Sequence, residues 1–140
     1  MSLFISIMIG ALVSVMILFN GTLSNSVGNL TSSVIIHFVG LLAVILVLII
    51  SKIKFKFQIG IPFYLYSAGA IGVLTVVLTN LSFAELGVSL TLALGLLGQS
   101  VFSIFIDHYG LFDMRIIKFN RKKLIGLSII TIGIFIMTVY

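Results

Sequence analysis

The side chains able to do chemistry in this chain are few, and they lie within apolar sequence: His37, the amides Asn20, Asn80 and Gln99, the hydroxyl Ser103, and the carboxylates Glu85 and Asp107. A histidine can carry a proton near neutral pH. Amides and hydroxyls can hold a polar solute by hydrogen bonds. No set of these residues has the spacing of a catalytic centre. There is no His-Glu-x-x-His, no nucleophile with an adjacent base, and no glycine-rich phosphate loop joined to a lysine. Catalysis is therefore set aside, and neither a metal nor a cofactor is expected. Cysteine is absent, which excludes disulfides and thiolate metal sites.

The elements that carry these residues follow from composition. Of 140 residues 61% are hydrophobic and 8% charged, too few charges to cover a water-facing surface. No residue before Lys52 bears a full side-chain charge. A spanning helix needs about 20 apolar residues. The chain divides into five such pieces, at about 3–23, 32–51, 62–83, 88–106 and 124–140. The expected fold is thus an all-α integral membrane protein, a single membrane domain over 1–140 with the bilayer as its solvent. A net charge of +5 would suggest nucleic acid in a soluble protein. Here the basic residues flank helix ends, where they meet anionic lipid, so nucleic-acid binding is not expected.

All eight Lys and Arg fall in two stretches, Lys52 to Lys56 and Arg115 to Lys123, which two helices separate. They share one side of the membrane, and the positive-inside rule makes it the cytoplasm. The N-terminus is then inside and Tyr140 outside. The outer loops, around Ser24 to Thr31 and Ala84 to Val88, hold no Lys or Arg. Pro62 suits the first turn of helix 3, and Asn29 or Thr31 suits the cap of helix 2. The short link between helices 3 and 4 implies an antiparallel hairpin, with Glu85 near the positive end of helix 4 as an interface charge.

Lipid gives helices no hydrophobic reason to associate, so small residues that allow close approach do much of that work. Helix 1 has a seam of Gly10, Ser14, Ile17, Gly21, Ser24 and Gly28; helix 3 offers Gly69 and Gly72. In helix 4, Gly87, Thr91, Gly95, Gln99, Ser103 and Asp107 recur every four residues, with Gly98 beside them. Such a stripe either packs against a neighbour or lines a pathway. Asn20, Asn80, Gln99 and Ser103 are the candidate substrate pathway, against the plainer reading that they join helices. His37 is the candidate proton carrier, against a neutral, hydrogen-bonded role. Asp107 meets the negative end of its helix, so it needs a cation from Arg115, Lys118 or the Arg121 to Lys123 cluster. No carboxylate lies at mid-membrane depth, so proton coupling would fall to His37 or a partner subunit.

The stretch Glu85-Leu86-Gly87-Val88-Ser89-Leu90-Thr91-Leu92-Ala93-Leu94, continuing through Gly98-Gln99 to Asp107-His108-Tyr109-Gly110-Leu111-Phe112, resembles the YdcZ-type five-helix family of the drug/metabolite transporter superfamily. Gly10-Ala11, Asn20-Gly21 with Leu23, and His37-Phe38-Val39-Gly40 agree with it upstream. The resemblance implies a bacterial inner-membrane protein. It also implies an antiparallel dimer, either with itself or with a homologous five-helix subunit of opposite orientation. The one-sided charge favours the second arrangement. Met16 departs from the family pattern, where many relatives have glutamine, and the chain lacks the tryptophan common near the start of helix 3.

The function expected is a transporter subunit that moves a small organic solute by alternating access. Two alternatives use the same residues. In a non-transporting assembly or regulatory module they only join helices; a holin-like pore former fits the size and the basic loops.

Overall fold

The computed structural model describes residues 2–53, 60–111, 116 and 121–139. Lys54, Lys56, Arg115, Lys118 and Tyr140 lie outside the described residues, and the side chains of Arg121 and Lys122 are likewise not described. All regular structure among the described residues is helical: α1 (Ser2–Val27), α2 (Asn29–Ile50), a 3-10 turn (Phe63–Ser67), α3 (Ala68–Tyr109) and α4 (Arg121–Val139).

The chain forms two compact units, Met1–Glu85 and Leu86–Tyr140. In the first unit α1 and α2 pack against each other. The outer loop expected around Ser24 to Thr31 shrinks to one residue. Gly28 adopts φ 88 and ψ 152, a conformation suited to glycine, so helix runs on both sides of it. Its N–H donates to Ser24 O, and its own carbonyl accepts from the Ser32 N–H, each at 2.9 Å. No side chain caps α2, contrary to the expectation for Asn29 or Thr31. Asn29 is instead the first residue of α2, and its amide reaches across to α3.

The cytoplasmic end of α2, by the sequence-based topology, closes without glycine. Lys52 has φ 52, its N–H donates to Ile49 O at 3.1 Å, and the Ile53 N–H donates to Leu48 O at 3.2 Å. This Schellman pattern satisfies the orphan carbonyls, and the lysine cation suits the negative end of the helix. Pro62 is not in the first turn of a long helix. It precedes the 3-10 turn, its carbonyl accepts from the Leu65 N–H at 3.0 Å, and α3 begins only at Ala68.

Among the described residues three helices are long and apolar enough to cross a bilayer: Leu3–Val27, Asn29–Ile50 and Phe63–Tyr109. The first two reach mean hydropathies of 2.4 and 3.0, which leaves them no water-facing side. At about 1.5 Å per residue, the 42 residues of α3 would span roughly twice the ~30 Å apolar layer if straight. Its helical dihedrals stop once, at Gly87 (φ 71, ψ −176), which divides it into 68–86 and 88–109. Lys123–Val139 is a shorter apolar helix.

The interior inverts that of a soluble domain. Among the described large apolar side chains only Ile17 is buried, whereas Ser24, Ser32, Ser33, Asn80 and Thr91 are. Apolar side chains turn outward, as they must when the solvent is hydrocarbon, and polar groups turn inward to find partners.

Candidate functional site

Many hydroxyls in the spans are satisfied locally. Ser14, Thr22, Thr75 and Ser100 each donate to the carbonyl four residues back, at 2.7–3.0 Å. This is the usual way a hydroxyl resides in a membrane helix. Buried polar atoms with no such partner mark the candidate site.

In the first unit, Asn29, Ser32, Ser33 and His37 occupy one face of α2, since steps of three and four residues return to the same side. The Asn29 Nδ2 donates to Val77 O of α3 at 3.0 Å. Ser32 is fully buried, and its Oγ donates to Asn29 O at 2.8 Å. Asn80, 1% exposed, donates through Nδ2 to Ser32 Oγ at 3.4 Å. Three buried atoms of this cluster have no partner: Asn29 Oδ1, Asn80 Oδ1 and Ser33 Oγ. Each such group in hydrocarbon costs free energy that a native fold rarely leaves unoffset.

His37 adjoins them. Its Nδ1 lies 2.7 Å from Ser33 O. A carbonyl can only accept, so Nδ1 carries the hydrogen and neutral His37 presents the lone pair on Nε2. The ring is half-buried and lines a groove of about 500 Å³ with Leu30, Ser33, Val34, Phe38 and Val73. His37 is the sole acidic or basic side chain in α1, α2 and residues 68–84.

Of the six packing glycines only Gly21 makes a close internal contact: a Cβ there would fall within the Phe83 ring. At Gly10, Gly69, Gly72, Gly95 and Gly98 a Cβ would meet nothing within 4 Å. Gly21 is buried beside half-buried Asn20, and Ser24 lies buried one turn on. The α1 seam is therefore closed from Ile17 to Ser24 and open at Gly10 and Gly28.

In the second unit the four-residue stripe divides. Thr91 is buried with an unpartnered hydroxyl, whereas Gln99 and Ser103 are exposed. Ser103 lines a groove of about 290 Å³ with Ser100, Ile104, Lys123 and Gly126. Asp107 finds its cation in Lys123, with Nζ 2.7 Å from Oδ2. Both charges stand at the unfavourable end of their own helix, Asp107 near the end of α3 and Lys123 at the start of α4, so each compensates the other. With side chains 33% and 24% exposed, the pair is only partly screened. Asp107→Asn is expected to destabilise the second unit by about 1 kcal/mol. Asp107→Asn with Lys123→Gln should recover part of that by removing the unpaired cation. Thermal melts in detergent check this; equal melting of parent and single variant would rule it out. Glu85, just before the break at Gly87, is exposed.

Sequence reasoning named Asn80 and His37 but missed Ser32 and Ser33 as a buried pair and treated Asn29 only as a cap. The signal was present in the 29, 32, 33, 37 spacing of α2. Asn20 and Asn80 belong to the first unit, Gln99 and Ser103 to the second.

A family model described as "Putative inner membrane exporter, YdcZ" matches residues 1–136. No curated protein and no solved structure matches the chain.

Proposed function

From the premise that the chain belongs to the YdcZ family of inner-membrane exporters of the drug/metabolite transporter type, we propose that it is one subunit of an antiparallel dimer. Its partner is a homologous five-helix subunit of opposite orientation. Together they move a small organic solute by alternating access. The chain contributes five spans, with residues 68–86 and 88–109 of α3 as the third and fourth.

The observation that carries the dimer is Gln99. It sits mid-span with its amide exposed, and an amide facing hydrocarbon without a partner is costly enough to require one. A second subunit supplies that cover, and Gln99 and Ser103, both exposed in the second unit, are the polar side chains it would meet. His37, with Nε2 open, is the group for proton coupling. The orientation of the partner follows from charge, since all eight cationic side chains fall in two stretches on one side of the membrane.

Because the chain has no cysteine, single cysteines at Ser2 and Tyr140 report orientation directly. In intact cells expressing the chain alone, a membrane-impermeant thiol reagent should label Tyr140→Cys and leave Ser2→Cys unlabelled. Reconstituted vesicles should then show solute flux only with an oppositely oriented homologue present. Equal labelling of both sites, or flux from the chain alone, would replace the heterodimer by an antiparallel homodimer. Failure of flux with both subunits in place would sink the transporter reading.

A further inference from the structure

Asn29, Ser33 and Asn80 leave three buried oxygen atoms unpartnered on one face where α2 meets α3, and the adjoining groove is apolar apart from Ser33 and His37. We propose that this juxtaposition is a binding site for a primary amine with an apolar body. The inference rests on the exporter reading and deepens it by naming the class of solute.

Donor and acceptor character decide the chemistry. Each amide nitrogen has spent one of its two N–H groups, Asn29 Nδ2 on Val77 O and Asn80 Nδ2 on Ser32 Oγ, whereas neither amide oxygen has any partner. Ser32 Oγ is likewise committed as a donor to Asn29 O. The atoms left wholly without a partner are two amide oxygens and the Ser33 hydroxyl, with Nε2 of His37 beside them. An anion could use only the remaining amide N–H groups and the Ser33 hydroxyl, and it would leave both amide oxygens unpaired. An amino group brings two or three N–H donors and no competing acceptor in its ammonium form, which matches the three orphan oxygens in number and sense.

Burial makes the mismatch consequential. Asn80 is 1% exposed and Ser33 3%, so bulk water does not satisfy them. The groove leading from Ser33 is walled by Leu30, Val34, Phe38, Leu41, Val73 and Val77, a surface for an aliphatic or aromatic body. No carboxylate or other charged side chain faces the cluster from α1, α2 or residues 68–84. Selection thus depends on N–H donors and not on net charge alone. A quaternary ammonium of the same size has the charge and lacks the donors, so the site discriminates against it.

Phenethylamine is a suitable probe, with its N,N,N-trimethyl analogue as the charge-matched control. Radiolabelled probe is titrated against the protein in lipid nanodiscs, with empty nanodiscs subtracted. Saturable binding is expected, with the primary amine favoured about tenfold or more, because a site built to receive hydrogen bonds rejects an analogue that cannot make them. Asn80→Leu should weaken binding about tenfold. Ser33→Ala, a smaller change that keeps the fold, should weaken it several-fold with its melting temperature unchanged. Equal affinity for the two amines, absence of saturable binding, or unchanged affinity in Ser33→Ala would each overturn the proposal, leaving the orphan oxygens to ordered water. Loss of binding when sodium replaces choline in the buffer would assign the oxygens to a metal ion and overturn it as well. Flux of another solute without amine binding rejects this site and leaves the exporter intact. Amine binding without flux of any solute does the reverse.

Discussion

Gly21→Leu is expected to abolish folding of the first unit, and Phe83→Ala in the same chain to restore much of it. The position is buried, and even a methyl group there would occupy the space of the Phe83 ring. Forcing extra carbon into a packed contact costs about 1–3 kcal/mol where neighbours can shift. Here four carbons enter where one does not fit, and the total stability of a native protein is only about 5–15 kcal/mol. Truncating Phe83 removes the obstruction, so the two substitutions should couple strongly and with favourable sign. Gly10→Leu is the internal control. It lies on the same seam eleven residues earlier, where a Cβ meets nothing within 4 Å, and it should leave yield unchanged. Monodisperse yield by size exclusion in detergent reads all four proteins. A Gly21→Leu chain recovered as well as Gly10→Leu would show that α1 and α3 do not pack as described.

The same two glycines show what the sequence makes legible. The seam in α1 is readable because its period is fixed by helix geometry, and geometry is local. Which part of a seam closes depends on where the next helix brings a large side chain, and Phe83 lies 62 residues further on. Membrane residence is legible from composition, since it needs only that polar side chains are scarce. The outer loops were less so. Chain length suggests a loop wherever apolar periodicity falters, as at Ser24 to Thr31, yet one glycine at positive φ turns the chain while both helices keep their hydrogen bonds. Asn29 illustrates the remaining difficulty. Next to a helix start an asparagine reads as a cap, because capping is the local use of its side chain. In lipid a cross-helix carbonyl competes for the same amide, and Val77 O receives it.

Orphan atoms were the least legible feature, because they are defined by what a fold fails to provide. Ser14 and Ser33 have the same composition and the same local option of bonding back along the helix. Ser14 takes it, with Gly10 O as acceptor. The corresponding acceptor for Ser33 is Asn29 O, which Ser32 already occupies, and Ser33 Oγ is left without a partner. Two adjacent serines following an asparagine thus create a shortage that neither would create alone.

Gly87→Val is expected to destabilise the protein for a reason unlike that at Gly21. Nothing lies within 4 Å of a Cβ built at Gly87, so no contact is broken. The cost is in the backbone: φ 71 with ψ −176 is a region that side chains with a Cβ essentially never occupy. Holding alanine there costs about 1–3 kcal/mol, and a β-branched residue more. Relaxing residue 87 into helical geometry offers no escape. It would join 68–86 to 88–109 as one straight rod of 42 residues, about 63 Å long by the helical rise, against an apolar layer of about 30 Å. Glycines within the helical run behave oppositely. Gly98→Ala has open space and ordinary helical geometry, so replacing glycine should leave stability unchanged or raise it by up to about 1 kcal/mol. Melting in detergent should therefore order the proteins as Gly98→Ala, parent, Gly87→Ala and Gly87→Val, from most to least stable. On the proposed five-span topology, any fraction of Gly87→Val that does straighten loses one crossing of the membrane, so external labelling of Tyr140→Cys in cells should fall. If Gly87→Ala melts with Gly98→Ala, the break is not a fixed feature of α3, and the division into a third and fourth span has to be placed elsewhere.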